Sequence, residues 1–186
     1  MKHRKAKAVF IVAAIMALIF FMEPATAAAA TAGRAPAGIP ANVAAALNEA
    51  VDDNGRAIII DPAGKMYLFK ICAKTGKWSL KKSFRVACGE GLRADRHYFL
   101  SRSKYTDRRA WGDGSRRWAY GMRIDCYEEP VANKYISSYV QKYDRKTKTW
   151  TTKKSVRQNA LTIAVSEPDA LYIWTYYGSG TAVMIV

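Results

Sequence analysis

Thiol and imidazole groups are the side chains in this sequence best suited to covalent chemistry, and they are few. The chain of 186 residues has three cysteines and two histidines. A cysteine nucleophile needs a partner that lowers its pKa or removes its proton. Because His3 lies in the basic N-terminal residues, a Cys–His pair in the rest of the chain must use His97. Cys126 and Cys88 are the candidate nucleophiles, although each lies in a strand-like pattern where cysteine is more often a small buried side chain.

Hydroxyl, carboxylate and metal chemistry have less support. Thr162 could act as a hydroxyl nucleophile, but a hydroxyl needs a nearby base, and the sequence before it offers only amides such as Asn159. The acidic pair Glu128-Glu129 precedes Pro130, where negative charge suits a helix N-terminus. One histidine and three dispersed cysteines fit none of the usual zinc spacings. We therefore expect no metal site and no cofactor.

The charge of the chain favours anionic partners. It has 30 Lys plus Arg against 15 Asp plus Glu, a net charge of +15 at pH 7. Such a field favours anionic surfaces; if the chain is exported, as its N-terminus predicts, these are wall polymers and membrane lipid headgroups, not nucleic acid. Scattered basic residues can also serve solubility alone. One local cluster interleaves arginine with tryptophan and is predicted to bind: Arg108, Arg109, Trp111, Arg116, Arg117 and Trp118.

The N-terminus predicts export to the periplasm, the cell wall or the exterior. Basic residues at positions 2–7 precede an uncharged apolar run, Ala8–Met22, and small residues at Ala25–Ala27, which is the pattern of a signal peptide. The run is shorter than the roughly 20 apolar residues of a spanning helix, which favours cleavage over a retained anchor. Cleavage would leave 26 basic and 14 acidic residues, a net charge of about +12.

The domain organisation follows from that cleavage. We predict a signal peptide over 1–27, a flexible Ala- and Pro-rich spacer over 28–40, and a single domain over 41–186. In an oxidising compartment three cysteines allow at most one disulfide within the chain. The sequence leaves open which two of the three cysteines would form this disulfide: Cys72, Cys88 or Cys126.

The first half of the domain reads as strands. A short helix is predicted over Pro40–Asp53, then a three-strand meander over Ala57–Gly89. In its third strand we expect one face to carry the apolar side chains Trp78, Leu80, Phe84, Val86 and Cys88. A strand at His97–Leu100, a surface loop over Ser101–Ser115 and a strand over Arg117–Cys126 follow, with His97 half exposed at the start of its strand.

The second half ends in a clearer pattern. Tyrosines at 135, 139 and 143 have helical spacing, and Lys142–Lys154 suggests an exposed hairpin. Leu161–Val165 reads as a strand, and Ser166 as the N-cap of a helix with Asp169 at its third position. The apolar stretch Thr181–Val186 predicts a final strand at the centre of a sheet.

Two segments resemble the L,D-transpeptidase catalytic domain, the YkuD type. Ile58-Ile59-Ile60-Asp61, Met66-Tyr67-Leu68-Phe69 and Phe84-Arg85-Val86-Ala87-Cys88-Gly89 are similar to its first three strands. Ser166-Glu167-Pro168-Asp169-Ala170 and Gly180-Thr181-Ala182-Val183-Met184-Ile185 are similar to its "S-N-E-D-A" helix start and its "G-T-P-V-x-I" last strand. The resemblance implies a mainly β fold with minor α, an L,D-transpeptidase-like β-sandwich with a capped helix before the last strand.

The catalytic signature of that family is not preserved. Its "S-H-G-C-I-R" motif corresponds here to residues 159–164, with Thr162 at the position of the nucleophilic cysteine. Its upstream "I-H-G" strand would fall near Tyr120–Ile124, which has no histidine. We therefore predict a catalytically degenerate protein that binds or regulates at peptidoglycan. The first alternative is a divergent acyl transferase that uses His97 with Cys126 or Cys88, and the second is an unrelated secreted β domain that interacts through its basic loop.

Overall fold

The computed structural model describes residues 35–50, 54–88, 91–109, 114–129, 134–153 and 162–186, with backbone alone at 107–109 and 162. In chain order the elements are α1 (Ala41–Glu49), β1 (Arg56–Asp61), β2 (Lys65–Ile71), β3 (Trp78–Arg85), β4 (Ala87–Cys88), β5 (Tyr98–Arg109), β6 (Arg116–Cys126), β7 (Tyr135–Ser138), β8 (Gln141–Asp144), β9 (Thr149–Thr152), β10 (Thr162–Val165), α2 (Glu167–Tyr176) and β11 (Ala182–Ile185). No helix in these ranges is both long and apolar enough to cross a bilayer.

Backbone hydrogen bonds join the described strands in the order β3-β2-β1-β11-β5-β6-β7-β10-β4, with the β8–β9 hairpin attached to β6. At the centre β11 pairs parallel with β1 and antiparallel with β5. The predicted central position of the last strand is therefore confirmed. An all-apolar strand suits this position because both of its faces are covered.

The strands alternate between two cores. Ile58 and Ile60 of β1 lie in the larger core, which α2 covers with Ala170 and Ile173. The intervening Ile59 lies in a smaller core on the other face, together with Val43 and Leu47 of α1. Because successive side chains point to opposite faces of a strand, a run of isoleucines can supply both cores at once.

The start of α2 is as the sequence predicts. Ser166 Oγ accepts a hydrogen bond from the backbone N–H of Asp169 at 3.3 Å, and Pro168 lies in the first turn. Asp169 also forms an ion pair of 2.6 Å with Lys82 of β3. The mainly β class, with a capped helix directly before the final strand, is confirmed.

Two predicted segments were wrong. The expected loop over Ser101–Ser115 is largely strand, because β5 continues to Arg109 and pairs with β6 along its length. The expected tyrosine helix is replaced by β7 and β8. Residues four apart lie on the same face of a helix, but four is an even number, so they also lie on the same face of a strand. The predicted hairpin over Lys142–Lys154 is confirmed as β8–β9.

The third strand does not keep one apolar face. Its pairing with β2 shifts register between Leu68 and Phe69, and such an irregularity reverses the alternation of side chains beyond it. Trp78 consequently packs in the smaller core, whereas Phe84 and Cys88 pack against the larger one. Between them Leu80 is 38% exposed.

Candidate functional site

His97 and Cys126 lie at the same end of the β5–β6 ribbon and contact one carboxylate. Tyr98, the first residue of β5, pairs with Cys126, the last of β6. The imidazole Nδ1 of His97 lies 2.7 Å from Glu128 Oε1. The Cys126 thiol donates a hydrogen bond to Glu128 Oε2 at 3.0 Å. Glu128 therefore bridges the thiol and the imidazole.

The electrostatics of this cluster keep the thiol protonated. Hydrogen bonds from Cys126 and His97 lower the pKa of Glu128 to about 2. Desolvation, followed by the hydrogen bond to Glu128, raises the pKa of Cys126. A neighbouring anion disfavours a second negative charge, so the cluster holds a carboxylate beside a neutral thiol. The reactive form of cysteine is the thiolate, and this arrangement opposes its formation.

The other two cysteines have contrasting surroundings. Cys88 pairs with Ile163 of β10, and desolvation, together with the charge of Asp61, raises its pKa to about 11. Cys72 follows β2 and is exposed, and hydrogen bonds from the Thr75 side chain and then the backbone lower its pKa. All three thiols are free in the structure.

The position that corresponds to the family nucleophile lies at the start of β10. Thr162 pairs with Tyr135 of the parallel strand β7, and its side chain and residues 159–161 of the motif lie outside the described part of the chain. β7 separates β10 from β6, the strand that carries Tyr120–Ile124. Tyr120 has a φ of 54°, a left-handed conformation that is costly for a bulky residue. On either side of it β6 changes its neighbour from β8 to β7.

A cavity of about 320 Å³ lies beside this left-handed residue. Its described lining combines β5, β6 and β8 with the first residue of α2: Thr106, Arg117, Trp118, Ala119, Tyr120, Gln141 and Glu167. Close by, the backbone N–H of Ala119 donates to the buried hydroxyl of Ser138 at 2.8 Å. The described lining contains no thiol and no imidazole, so these residues supply a polar cleft but no covalent nucleophile of the cysteine type.

The described residues of the predicted arginine–tryptophan cluster lie on the paired strands β5 and β6, but they do not share one environment. In the backbone register of β5 and β6, Arg108 lies opposite Trp118 and Arg109 opposite Arg117. Trp111 lies outside the described residues. Trp118 is only 4% exposed, and its ring packs against Tyr135 with a centroid separation of 5.2 Å. Its indole packs in the interior, and the residue also lines the 320 Å³ cavity; its role in binding stays a prediction.

Arg117 supports the hairpin. Its Nε donates to Gln141 Oε1 at 2.7 Å, and its guanidinium carbon lies 4.4 Å from the ring centroid of Trp150. On the same hairpin the rings of Tyr143 and Trp150 are 5.2 Å apart. These contacts attach β8 and β9 to the end of β6.

Arg116 lines a larger cavity, of about 630 Å³, on the hairpin. The described residues around it are mostly basic or polar: Ser115, Arg116, Lys142, Tyr143, Asp144, Arg145, Thr151 and Lys153. Apart from Arg116, sequence reasoning did not assign these residues to a site. The Lys- and Thr-rich composition of Lys142–Lys154 was the available signal.

Comparison with known proteins supports the fold. The chain is similar to the solved structure of a fused Zn-dependent amidase/peptidase/peptidoglycan-binding domain-containing protein from Clostridium acetobutylicum, with 17% identity and a TM-score of 0.51 over 77% of this chain and 59% of that one. It is also similar to an L,D-transpeptidase (Yku) from Stackebrandtia nassauensis, with 10% identity and a TM-score of 0.49 over 78% and 64%. A third likeness is to L,D-transpeptidase 1 of Mycobacterium tuberculosis, with 11% identity and a TM-score of 0.43 over 72% and 62%.

The chain thus spans less than two thirds of the length of each of these structures. No protein-family model and no curated protein sequence matches it. The resemblance to the L,D-transpeptidase fold is confirmed, in a divergent form. At such low identity the likeness concerns the fold alone, and the activity has to be argued from the side chains.

Proposed function

We propose that this protein is exported and acts at peptidoglycan as a binding or regulatory module, without forming cross-links. The observation that carries the proposal is the bridging position of Glu128 between Cys126 and His97. In a cysteine transpeptidase the thiolate attacks a peptide carbonyl and a histidine takes the thiol proton. Here the thiol proton is directed at a carboxylate instead.

Glu128 is a poor substitute for that base. Its pKa is about 2, whereas the pKa of Cys126 is raised above the ordinary thiol value of 9.0. Proton transfer between groups so far apart in pKa is strongly unfavourable, and general bases work best when their pKa lies near the operating pH. The threonine at position 162, where the resemblance expects the nucleophile, supports the same conclusion.

The envelope part of the proposal rests on the N-terminal signal pattern and on the charge. A basic exported domain is attracted to anionic wall polymers. The test is fractionation of cells that express the full chain, followed by intact mass of the exported form. Export with loss of residues 1–27 is expected, and retention in the cytoplasm at full mass would contradict it.

A second function, divergent acyl transfer with Cys126 as nucleophile and His97 as base, has one specific observation in its favour. Both side chains contact the same carboxylate, which places a thiol and an imidazole at the same end of the β5–β6 ribbon. The fold likeness removes support from the remaining alternative, an unrelated secreted β domain.

Thiol acylation separates the two functions. Purified protein, His97→Ala and Cys126→Ser are incubated with a carbapenem and weighed intact, with Cys72→Ser as the control for nonspecific labelling of the exposed thiol. We expect no adduct on Cys126. An adduct on Cys126 that disappears in His97→Ala would overturn the non-catalytic proposal.

Cosedimentation with purified peptidoglycan tests the binding function. The wild type and Thr162→Ala should sediment equally, because the proposal gives Thr162 no chemical role. A protein that neither sediments nor acylates would contradict both functions. Loss of an envelope activity in Thr162→Ala, with folding intact, would show that this position is functional.

A further inference from the structure

We propose that the 630 Å³ cavity between β6 and the β8–β9 hairpin is a phosphate-binding site that takes a segment of a phosphodiester polymer. The site is defined by four basic residues: Arg116, Lys142, Arg145 and Lys153. It deepens the proposed envelope function by naming a ligand class, but it does not depend on whether the domain is catalytic.

The strand register places two of these cations directly opposite each other. Arg116 of β6 pairs with Lys142 of β8, and Lys142 pairs with Thr151 of β9. Their side chains therefore form one row across three strands. Like charges directly opposite each other in a sheet repel, and an anion bound between them would offset that repulsion.

The described lining has a single carboxylate, Asp144, against its four cations. Asp144 Oδ1 accepts hydrogen bonds from the backbone N–H groups of Lys146 at 2.8 Å and Thr147 at 3.4 Å. These bonds, and less strongly the charge of Lys142, lower the pKa of Asp144, and the bonds hold its carboxylate in the hairpin turn. In the described part of the chain neither Lys142 nor Arg145 makes an ion pair with a carboxylate within 4.0 Å.

The donors of the cavity suit phosphate oxygens. Arginine offers a planar fork of N–H donors, lysine a compact charge, and both bind phosphate with short charge-assisted hydrogen bonds. The hydroxyls of Ser115 and Thr151 add neutral donors in the same lining. The volume lies in the range of about 300–1,000 Å³ that holds molecules larger than one small ion, which favours a polymer segment over free phosphate.

The cavity is also held in shape before any ligand binds. Arg117 lies over the ring of Trp150 at 4.4 Å, and Tyr143 packs against the same ring at 5.2 Å. A hairpin fixed in this way loses little conformational freedom on binding, which favours affinity.

The experiment compares two double variants that remove the same charge from the same hairpin. Lys142→Gln/Arg145→Gln changes the cavity, and Lys146→Gln/Lys148→Gln changes exposed residues of the turn that do not line it. Binding of soluble poly(glycerol phosphate) to the full-length protein is measured by calorimetry, and thermal unfolding checks that each variant is folded. Polyaspartate of matched charge, inorganic phosphate and phosphatidylglycerol vesicles are the comparison ligands.

We expect the cavity variant to bind poly(glycerol phosphate) about tenfold more weakly or worse, and the turn variant to stay within about twofold of wild type, because hydrogen bonds to charged groups are the strong ones. Equal weakening in both variants would overturn the site in favour of diffuse charge. Equal affinity for polyaspartate would overturn phosphate as the ligand, and binding to vesicles but not to the soluble polymer would overturn the polymer as its source. Acylation of Cys126 would refute the non-catalytic function and leave this result unaffected.

Discussion

The indole of Trp118 occupies the space that a side chain at Gly121 would need. A Cβ at position 121 would lie 2.1 Å from Cζ3 of Trp118. The ring also packs against Tyr135 and, in a T-shaped arrangement, against Tyr105, with centroid separations of 5.2 and 6.2 Å. Glycine is therefore required here for space, directly after the left-handed Tyr120 of β6.

Gly121→Ala should destabilise the domain by roughly 1–3 kcal/mol or more, the usual cost of forcing extra volume into a packed interior. Urea unfolding followed by circular dichroism measures the change. Gly178→Ala is the matched control, because no atom lies within 4 Å of its added Cβ, and it should stay within about 0.5 kcal/mol of wild type. Equal effects of the two substitutions would contradict the packing argument.

The three thiols should react with an alkylating agent at different rates. Iodoacetamide reacts with thiolates, so Cys72, whose pKa is lowered at an exposed site, should react first. Cys126 should follow, and Cys88, with a pKa of about 11, should react last. Peptide mass spectrometry of timed samples gives the order, and the differences should largely disappear in urea. Fastest labelling of Cys126 in the folded protein would favour the acyl-transfer alternative.

Glu128 should contribute to stability at neutral pH and not in strong acid. Its pKa is about 2 in the folded protein against an ordinary value of 4.5, so its contribution is complete above about 4.5 and is lost as the pH falls through about 2. The difference in unfolding free energy between wild type and Glu128→Gln should therefore shrink across this window. A difference that stays constant with pH would show that the charge of Glu128 is not involved.

Ser166→Ala should cost about 1 kcal/mol, because it removes the hydroxyl that accepts the Asp169 N–H at the start of α2. Thr175→Ala on the same helix is the comparison. Its hydroxyl donates to the Leu171 carbonyl, which already belongs to the helix, so its loss should be smaller. Chemical denaturation of both variants tests the order.

The parts of the fold that the sequence predicts correctly are local. The meander of β1, β2 and β3, the hairpin of β8 and β9, and the Ser166 cap depend on neighbours within a few residues. The final strand could be placed at the sheet centre because an uninterrupted apolar run needs cover on both faces.

The parts that were missed depend on register. The polar composition of residues 101–109 suggested a loop. These residues are strand because they pair with β6 well beyond the apolar start of β5. The irregularity between Leu68 and Phe69 reversed the alternation of side chains in β3, and no glycine or proline in β3 marks its position. Glu128 was attributed to a helix start, whereas its contact with His97, 31 positions away, exists because β5 and β6 bring Tyr98 beside Cys126.

Because β1 pairs in parallel with β11, the central sheet depends on contacts between residues that are far apart in sequence. Residues near β1 meet partners such as Ser179, which Asn54 contacts across 125 positions. Contacts of such long sequence separation require large loops to close, and they slow folding. Until β11 is in place, β1 and β5 both present unpaired edges, which are sites of aggregation. During synthesis, therefore, the central sheet stays incomplete until residues 182–185 are available.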